Sequence, residues 1–273
     1  MLFTRPDGDR IPDLSPMRII LPHLFPTANS AAVYFEQKLN LTHTLAWLKD
    51  HNAKGGPQLT FFHIVLAATV RVMVECPNVH RFIVGRKTWQ RKKIELSFAV
   101  KKKFELNAAL TAVKVGFDAK DSLLDVARKV DAAIGVGRGD ALTVSEQEMK
   151  WTVWMPTWML ALLLKLQKVL DACNLLPASM LANDPMYASA FLANLGSIGI
   201  DAPYHHLYDY GTIPIFVAVG RITKVREFGE DGQMREHDGI TMRYTVDERI
   251  ADGLYWAKTL DVFRKGIEQP ETM

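Results

Sequence analysis

Two carboxylates and a guanidinium lie close together near the end of the chain, at Glu248, Arg249 and Asp252. They form a charged turn between an alternating, β-rich segment and a segment with helical periodicity. A carboxylate held there can serve as a general base toward an amine or a hydroxyl. Paired with the adjacent Arg249 in a buried ion pair, the same Glu248 would only hold the turn, and both interpretations stay open.

A second group able to transfer protons lies in an aromatic loop at residues 204–210, which contains His205 and His206. The loop can bring a histidine to a reaction centre, shape a pocket for an acceptor, or form a contact between subunits. Asp209 follows the two histidines, but no second cluster of ligand residues completes a site, so we expect no metal.

Positive charge is densest between residues 86 and 103, in three short runs of which the last is Lys101, Lys102 and Lys103. Lysine and arginine are suitable donors to phosphate groups. Lysines also protect solvated strand edges, which explains the same runs without a ligand. The net charge is only +3, so we expect no nucleic-acid partner.

Residues 151–176 are unusually rich in tryptophan and leucine, with Trp151, Trp154 and Trp158 ahead of Lys165 and Lys168. The continuous apolar run of this segment is too short to span a membrane. Packing in the core or against another subunit is one explanation. A pocket for a long acyl chain and a peripheral membrane contact are the others.

Capping residues and periodicity predict one α+β domain over residues 31–273, preceded by a proline-rich extended arm at 1–30. Thr42, Thr60 and Ser122 begin predicted helices, Asp252 caps a last helix that buries Trp256 and Phe263, and Asp231-Gly232 predicts a hairpin. The predicted strands are 32–39, 81–84, 94–100, 109–116, 187–194 and 213–220.

The chain has 273 residues, of which 48% are hydrophobic and 23% charged, as in ordinary globular proteins. Cys76 and Cys173 have no CxxC or Cys/His neighbourhood, so we interpret them as reduced thiols of a cytoplasmic protein. The first residues lack the apolar run of a signal peptide.

Four segments resemble the catalytic domain of the dihydrolipoamide acyltransferases of 2-oxoacid dehydrogenase complexes. Residues 193–201, Ala-Asn-Leu-Gly-Ser-Ile-Gly-Ile-Asp, resemble the family's Ser/Thr-Asn-Leu-Gly-x-x-Gly strand and turn. Residues 247–253 resemble its Asp-His-Arg-x-x-Asp-Gly motif, of which chloramphenicol acetyltransferase carries a looser version. Residues 15–18 and 59–63 resemble its Ser/Pro-Leu/Met-Arg and Leu-Thr-Phe segments.

The resemblance implies a chloramphenicol-acetyltransferase-like two-layer fold, with a mixed β-sheet flanked by helices. It also implies a homotrimer, or a larger oligomer of trimers, in which CoA and lipoyl-lysine enter opposite ends of a channel between subunits. In the family a histidine removes the thiol proton, and a serine or threonine hydroxyl binds the oxyanion. By register these positions are Glu248 and Ala193, the latter followed by Asn194, while Asp252, Arg249 and Gly253 match architectural residues.

Three functions are compatible with this sequence. The first is acyl transfer from CoA to an unknown acceptor, with Glu248, His205 or His206 as base and the lysines at 101–103 on the CoA phosphates. The second is a catalytically silent scaffold or regulatory partner, and the third a lipid-surface binding protein. The sequence contains no lipoyl or subunit-binding domain, so we expect a lipoyl group to come from a partner such as a dehydrogenase complex.

Overall fold

A computed structural model describes residues 4–101, 110–138, 154–228 and 231–273. Short three-residue 3-10 helices aside, its elements in chain order are β1 (Gly8–Arg10), α1 (Pro16–Leu24), β2 (Ala32–Asn40), α2 (Thr42–Ala53), α3 (Phe61–Glu75), β3 (Arg81–Val84), β4 (Lys87–Arg91), β5 (Ile94–Lys101), β6 (Leu110–Phe117), α4 (Leu123–Arg138), α5 (Thr157–Ala172), α6 (Ala178–Asn183), β7 (Ala190–Asn194), β8 (Ile215–Phe228), β9 (Met234–Asp247) and α7 (Gly253–Glu268).

The main sheet has six strands in the order β2-β9-β8-β7-β5-β6. Strands β5, β7 and β8 are parallel neighbours and the other pairs are antiparallel, so the predicted mixed α+β architecture is confirmed. Helices α3, α4 and α7 contribute Ile64, Val126 and Phe263 to the core with one face of this sheet. On the other face, Leu207 and Ile213 of a loop pack with Phe191 and Phe216.

Local signals in the sequence explain where the helices around the site begin. The Thr60 hydroxyl accepts the N–H of His63, and Nδ1 of His63 accepts the N–H of Thr60, so a reciprocal cap starts α3. The Asp252 carboxylate accepts the N–H of Tyr255 and caps α7, whose buried side chains include Trp256.

Two segments differ from their predictions. Residues 1–30 were expected to be extended, but they contain α1 as well as β1, which joins β4 and β3 in a separate three-stranded sheet. Strand β4 was not predicted because its sequence is mostly polar. Its last residue, Arg91, is buried against the Phe82 ring and donates to the carbonyl of Thr212, and burial lowers its pKa to about 10. Arg91 is therefore not a solvated edge residue.

The turn after β7 depends on glycine because two backbone segments approach each other there. A Cβ on Gly196 would lie 2.3 Å from the carbonyl oxygen of Gly220, closer than any real contact. Gly199 has a φ of +77°, a left-handed conformation that glycine adopts without steric cost. The close approach fixes the turn that follows Asn194 against strand β8.

We expect Gly196→Ala to lower the free energy of unfolding by about 1–3 kcal/mol, because backbone atoms must move to admit the methyl group. Urea titration at constant slope measures this change. Gly116→Ala is the matched control, since nothing lies within 4 Å of its added Cβ. It should change the stability by less than about 0.5 kcal/mol. Equal effects of the two substitutions would contradict the packing argument.

Candidate functional site

A buried bidentate ion pair sits at the end of β9. Nε and Nη2 of Arg249 lie 2.8 and 2.6 Å from the two carboxylate oxygens of Asp247, and both side chains are buried. The partner of Arg249 is therefore Asp247 and not Glu248, which corrects the ion pair considered above. Asp247 is the last residue of β9 and Arg249 lies in the turn that follows, where its guanidinium folds back onto that carboxylate.

The backbone of Glu248 is held from both directions. Its N–H donates to the carbonyl of Ala31 at 3.0 Å, and Nη1 of Arg18 donates to its carbonyl at 2.6 Å. Its half-buried side chain makes no hydrogen bond or ion pair with any of the described residues. The turn thus presents one carboxylate on a fixed backbone, and that carboxylate stands free within the described chain.

Asp252 connects the turn to both terminal helices. Besides capping α7, its carboxylate lies 3.5 Å from Nη2 of Arg18, on α1. The N–H of Tyr255 and then the charge of Arg18 lower the pKa of Asp252. Gly253 is the first residue of α7, with no heavy atom within 4 Å of an added Cβ. The contacts of Asp252 are therefore those of a helix cap.

The second position implied by the resemblance lies on β7. Ala193 packs against the cluster that contains Phe191 and Phe216, and it offers no hydroxyl group. The side-chain oxygen of Asn194 accepts the N–H of Ser197 at 3.3 Å, which leaves its amide group as a donor.

Ala193 and Glu248 do not meet within one chain. Ala193 is opposite Ala218 on β8, which is opposite Arg243 on β9, and Glu248 comes five residues further along the chain. Five residues at the rise of an extended strand place Glu248 about 16 Å beyond Arg243 along the strand direction. One chain by itself therefore does not bring the two positions together.

A cleft of about 730 Å³ opens at the edge of the sheet where β7 ends. The start of α3, Asp131 of α4, Asn194 and Arg221 line it. Nε2 of the buried His63 lies 3.2 Å from Asp131, and burial lowers the pKa of His63 despite that carboxylate. Because Nδ1 of His63 accepts the Thr60 N–H, Nε2 carries the proton, and this histidine has no free basic nitrogen.

The loop histidines lie on the same face of the sheet as Ala193. The His205 ring stacks on Phe216 with a centroid separation of 3.8 Å, and its Nδ1 donates to the carbonyl of His206 at 2.6 Å. With Nδ1 as the donor, the neutral ring carries its lone pair on Nε2, and burial lowers the pKa of His205. His206 is exposed, with Nδ1 bonded to the Leu207 carbonyl. Within the described ranges, no group of three or more His, Cys, Asp or Glu residues is placed to hold a metal ion.

The predicted phosphate-binding lysines are only partly visible. Lys102 and Lys103 lie outside the described residues, as does Trp151, and of Lys101 only the backbone is described. Strand β5 runs parallel to β7 with Phe98 opposite Leu192. Lys101 therefore ends β5 at the same edge of the sheet as the cleft.

Two contacts of the site are not readable from the sequence. Arg18 reaches Glu248 across 230 positions, and His63 reaches Asp131 across 68 positions, so no local pattern connects either pair. The three-residue spacing of Thr60 and His63 does fit a capping box, so the start of α3 is predictable from the sequence.

We expect Arg249→Met to lower the free energy of unfolding by about 3–5 kcal/mol, because it leaves Asp247 buried without its partner. Chemical denaturation measures the loss. Arg226→Met is the matched control, since the pair of Arg226 with Glu236 is solvent-exposed and should cost less than about 1 kcal/mol. Similar losses in both variants would show that the turn does not depend on the buried pair.

No protein-family model matches the sequence, and no curated protein matches it either. Solved structures do match. A probable dihydrolipoamide acetyltransferase from Listeria monocytogenes is 15% identical, with a TM-score of 0.63 over 96% of this chain and 95% of that one. The dihydrolipoamide acetyltransferase of Azotobacter vinelandii is 14% identical, with a TM-score of 0.63 over 97% and 94%.

A chloramphenicol acetyltransferase is 13% identical, with a TM-score of 0.55 over 92% of each chain. Because each match covers almost the whole of both chains, it concerns the complete arrangement of helices and strands. The fold predicted from the sequence is confirmed: the chain has the fold shared by the dihydrolipoamide acyltransferase catalytic cores and chloramphenicol acetyltransferase.

Proposed function

We propose that this protein is an acyltransferase that moves an acyl group from a CoA thioester to an amine or hydroxyl acceptor, with Glu248 as general base. One observation carries the proposal. Glu248 is the free carboxylate of a turn in which Asp247 and Arg249 neutralise each other and the backbone is fixed. A carboxylate needed only to hold the turn would be expected to have a partner.

The sequence spacing of the residues investigated in the Azotobacter enzyme supports this assignment. A serine, a histidine and an asparagine were investigated there for roles in the catalytic mechanism, and the last two are four residues apart. Glu248 and Asp252 have the same spacing here. The serine lies some fifty residues before the histidine, and Ala193 lies 55 residues before Glu248.

The proposed step needs only groups named above. Glu248 takes the proton of the acceptor as its nitrogen or oxygen attacks the thioester carbonyl carbon, and the tetrahedral intermediate then expels the CoA thiolate. The products are an amide or an ester and, after protonation, the free thiol. An amine or a hydroxyl gives up its proton as the new C–N or C–O bond forms, so a carboxylate within hydrogen-bond reach can accept that proton in the transition state. Lys101, Lys102 and Lys103 would hold the CoA phosphates.

The same proposal requires assembly, because Glu248 and Ala193 are far apart in one chain. Helix α1 exposes Met17, Ile20 and Leu24 beside Arg18, which contacts Glu248. An apolar surface at this place fits a boundary between copies, as in a homotrimer. Two of the similar structures are cores of 2-oxoacid or pyruvate dehydrogenase complexes, so a lipoyl-carrying or dehydrogenase-complex partner is part of the proposal.

A second candidate function rests on Ala193. A serine or threonine would supply the oxyanion hydroxyl, which is typically worth about 3 kcal/mol of transition-state stabilisation, and alanine supplies none. The alternative is accordingly a catalytically silent scaffold or regulatory partner of an enzyme complex. The scaffold hypothesis predicts no release of thiol from acyl-CoA, whereas the acyltransferase hypothesis predicts release that depends on an acceptor.

We expect Glu248→Gln to reduce acceptor-dependent thiol release from acyl-CoA by about 10²–10⁴-fold, the range of general-base catalysis. Release is followed with a thiol reagent over short- to long-chain acyl-CoAs and a panel of amines and alcohols. Glu236→Gln, on the exposed ribbon, is the control and should retain full activity. Unchanged release in Glu248→Gln would transfer the role to His205, whose Nε2 is free, while no release by the folded wild type would favour the scaffold.

We expect Ala193→Ser to raise the same turnover, by up to about 10²-fold, because it restores an oxyanion donor at the position implied by the fold. The initial rate at saturating acyl-CoA measures the gain. The control is Ala112→Ser, which alters another residue packed beside the same cluster on a different strand. A loss of activity in Ala193→Ser, with unchanged stability, would contradict the assignment of this position.

A further inference from the structure

Helix α5 and the tryptophan before it are not needed by the proposed chemistry. The helix is attached to the protein near its C-terminal end, where the buried Asp171 accepts from Arg5 at 2.8 Å and from the Tyr187 hydroxyl at 3.2 Å. Leu170 packs beside Tyr187, and Gln167 donates to the Tyr210 hydroxyl. The other end of the helix makes no comparable contacts within the described chain.

The most exposed apolar side chains of α5 form a stripe along the helix. Trp158, Leu162, Leu166 and Val169 follow one another at helical spacing, so they fall within an arc of about 80°. They are between 50% and 70% exposed, and Trp154, just before the helix, is 90% exposed. The core packing considered for this segment holds at its end, where Leu170 and Leu176 pack with Tyr187, and it does not hold for these exposed residues. A stripe of large apolar side chains facing water indicates a contact surface.

The positive charges beside the stripe indicate an anionic partner. Lys165 and Lys168 are exposed and lie next to the stripe on one flank of the helix, while residues 154–170 contain no Asp or Glu. A second copy of α5 would bring the same two lysines to the contact and no acid to match them. An anionic lipid surface provides phosphates for the lysines and acyl chains for the stripe.

The dimensions indicate how the helix would lie. Its 16 residues extend about 24 Å, less than the roughly 30 Å hydrocarbon core of a bilayer. Among the described helices, none is both long and apolar enough to cross a membrane. Tryptophan is favoured at the level of the headgroups, and lysine side chains extend toward the phosphates.

We propose that Trp154 and helix α5 bind the surface of an anionic membrane, with the stripe of Trp158, Leu162, Leu166 and Val169 in the interface and Lys165 and Lys168 among the headgroup phosphates. This inference is independent of acyl transfer. The attachment through Asp171 and Arg5 would then hold the body of the protein close to the lipid surface.

The test is co-sedimentation of the full chain with vesicles of phosphatidylcholine alone and with about a quarter phosphatidylglycerol. We expect binding to the anionic vesicles, weakened at high salt. Trp154→Ala/Trp158→Ala should reduce the partition coefficient at least about tenfold, and Lys165→Ala or Lys168→Ala about fivefold each. Phe228→Ala removes an equally exposed aromatic ring from the ribbon and should leave binding unchanged.

Thermal unfolding and the oligomeric state are recorded for every variant, so that a loss of binding is assigned to the surface and not to misfolding. Absence of binding by the wild type would overturn the proposal, as would binding that is insensitive to the α5 substitutions. Dissociation of an oligomer by Trp154→Ala/Trp158→Ala, without vesicle binding by the wild type, would instead identify α5 as a contact between copies. None of these readouts involves thiol release, so failure of the acyltransferase proposal leaves the test intact.

Discussion

The buried ion pair of Asp247 and Arg249 is the interaction on which the arrangement of the candidate site depends. It closes the turn between β9 and α7, and the remaining guanidinium nitrogen Nη1 donates to the carbonyl of Phe25, just after α1. Arg18 then joins α1 to Glu248 and Asp252. A single charged pair, removed from water, thus organises contacts between the two ends of the chain, and its buried charges tolerate the loss of neither partner.

This organisation separates the residues that hold the backbone from those able to react. The side chains of Asp247 and Arg249 bond to each other. The Asp252 carboxylate accepts from the first turn of α7. Glu248 has only its backbone engaged. Ala193 and Asn194 end strand β7, where Asn194 lines the cleft, whereas Glu248 follows β9. Strand β8 separates these two strands and β9 runs antiparallel to it, so the two reactive positions lie at opposite ends of the sheet.

The parts of the fold that rest on local physics were predictable from the sequence. Thr60 and Asp252 indicate helix starts through their side-chain oxygens. Gly196 and Gly199 indicate the turn after Asn194, the first by a close backbone approach and the second by a left-handed conformation. Predictions failed where a distant partner decides the outcome. The sequence places Arg91 in a basic run, but Phe82 and Thr212 bury it. It also suggests Glu248 as the partner of Arg249, whereas the turn after β9 brings the guanidinium of Arg249 to Asp247.

The free side chain of Glu248 has a consequence for redesign. Because its neighbours and its backbone maintain the turn without it, the residue at position 248 can be exchanged with little loss of fold stability. Carboxylate, imidazole or amide groups would then be presented from the same scaffold at the same place. The turn therefore allows the reactive group at position 248 to be replaced by substitution of one side chain, while the fold around it is retained.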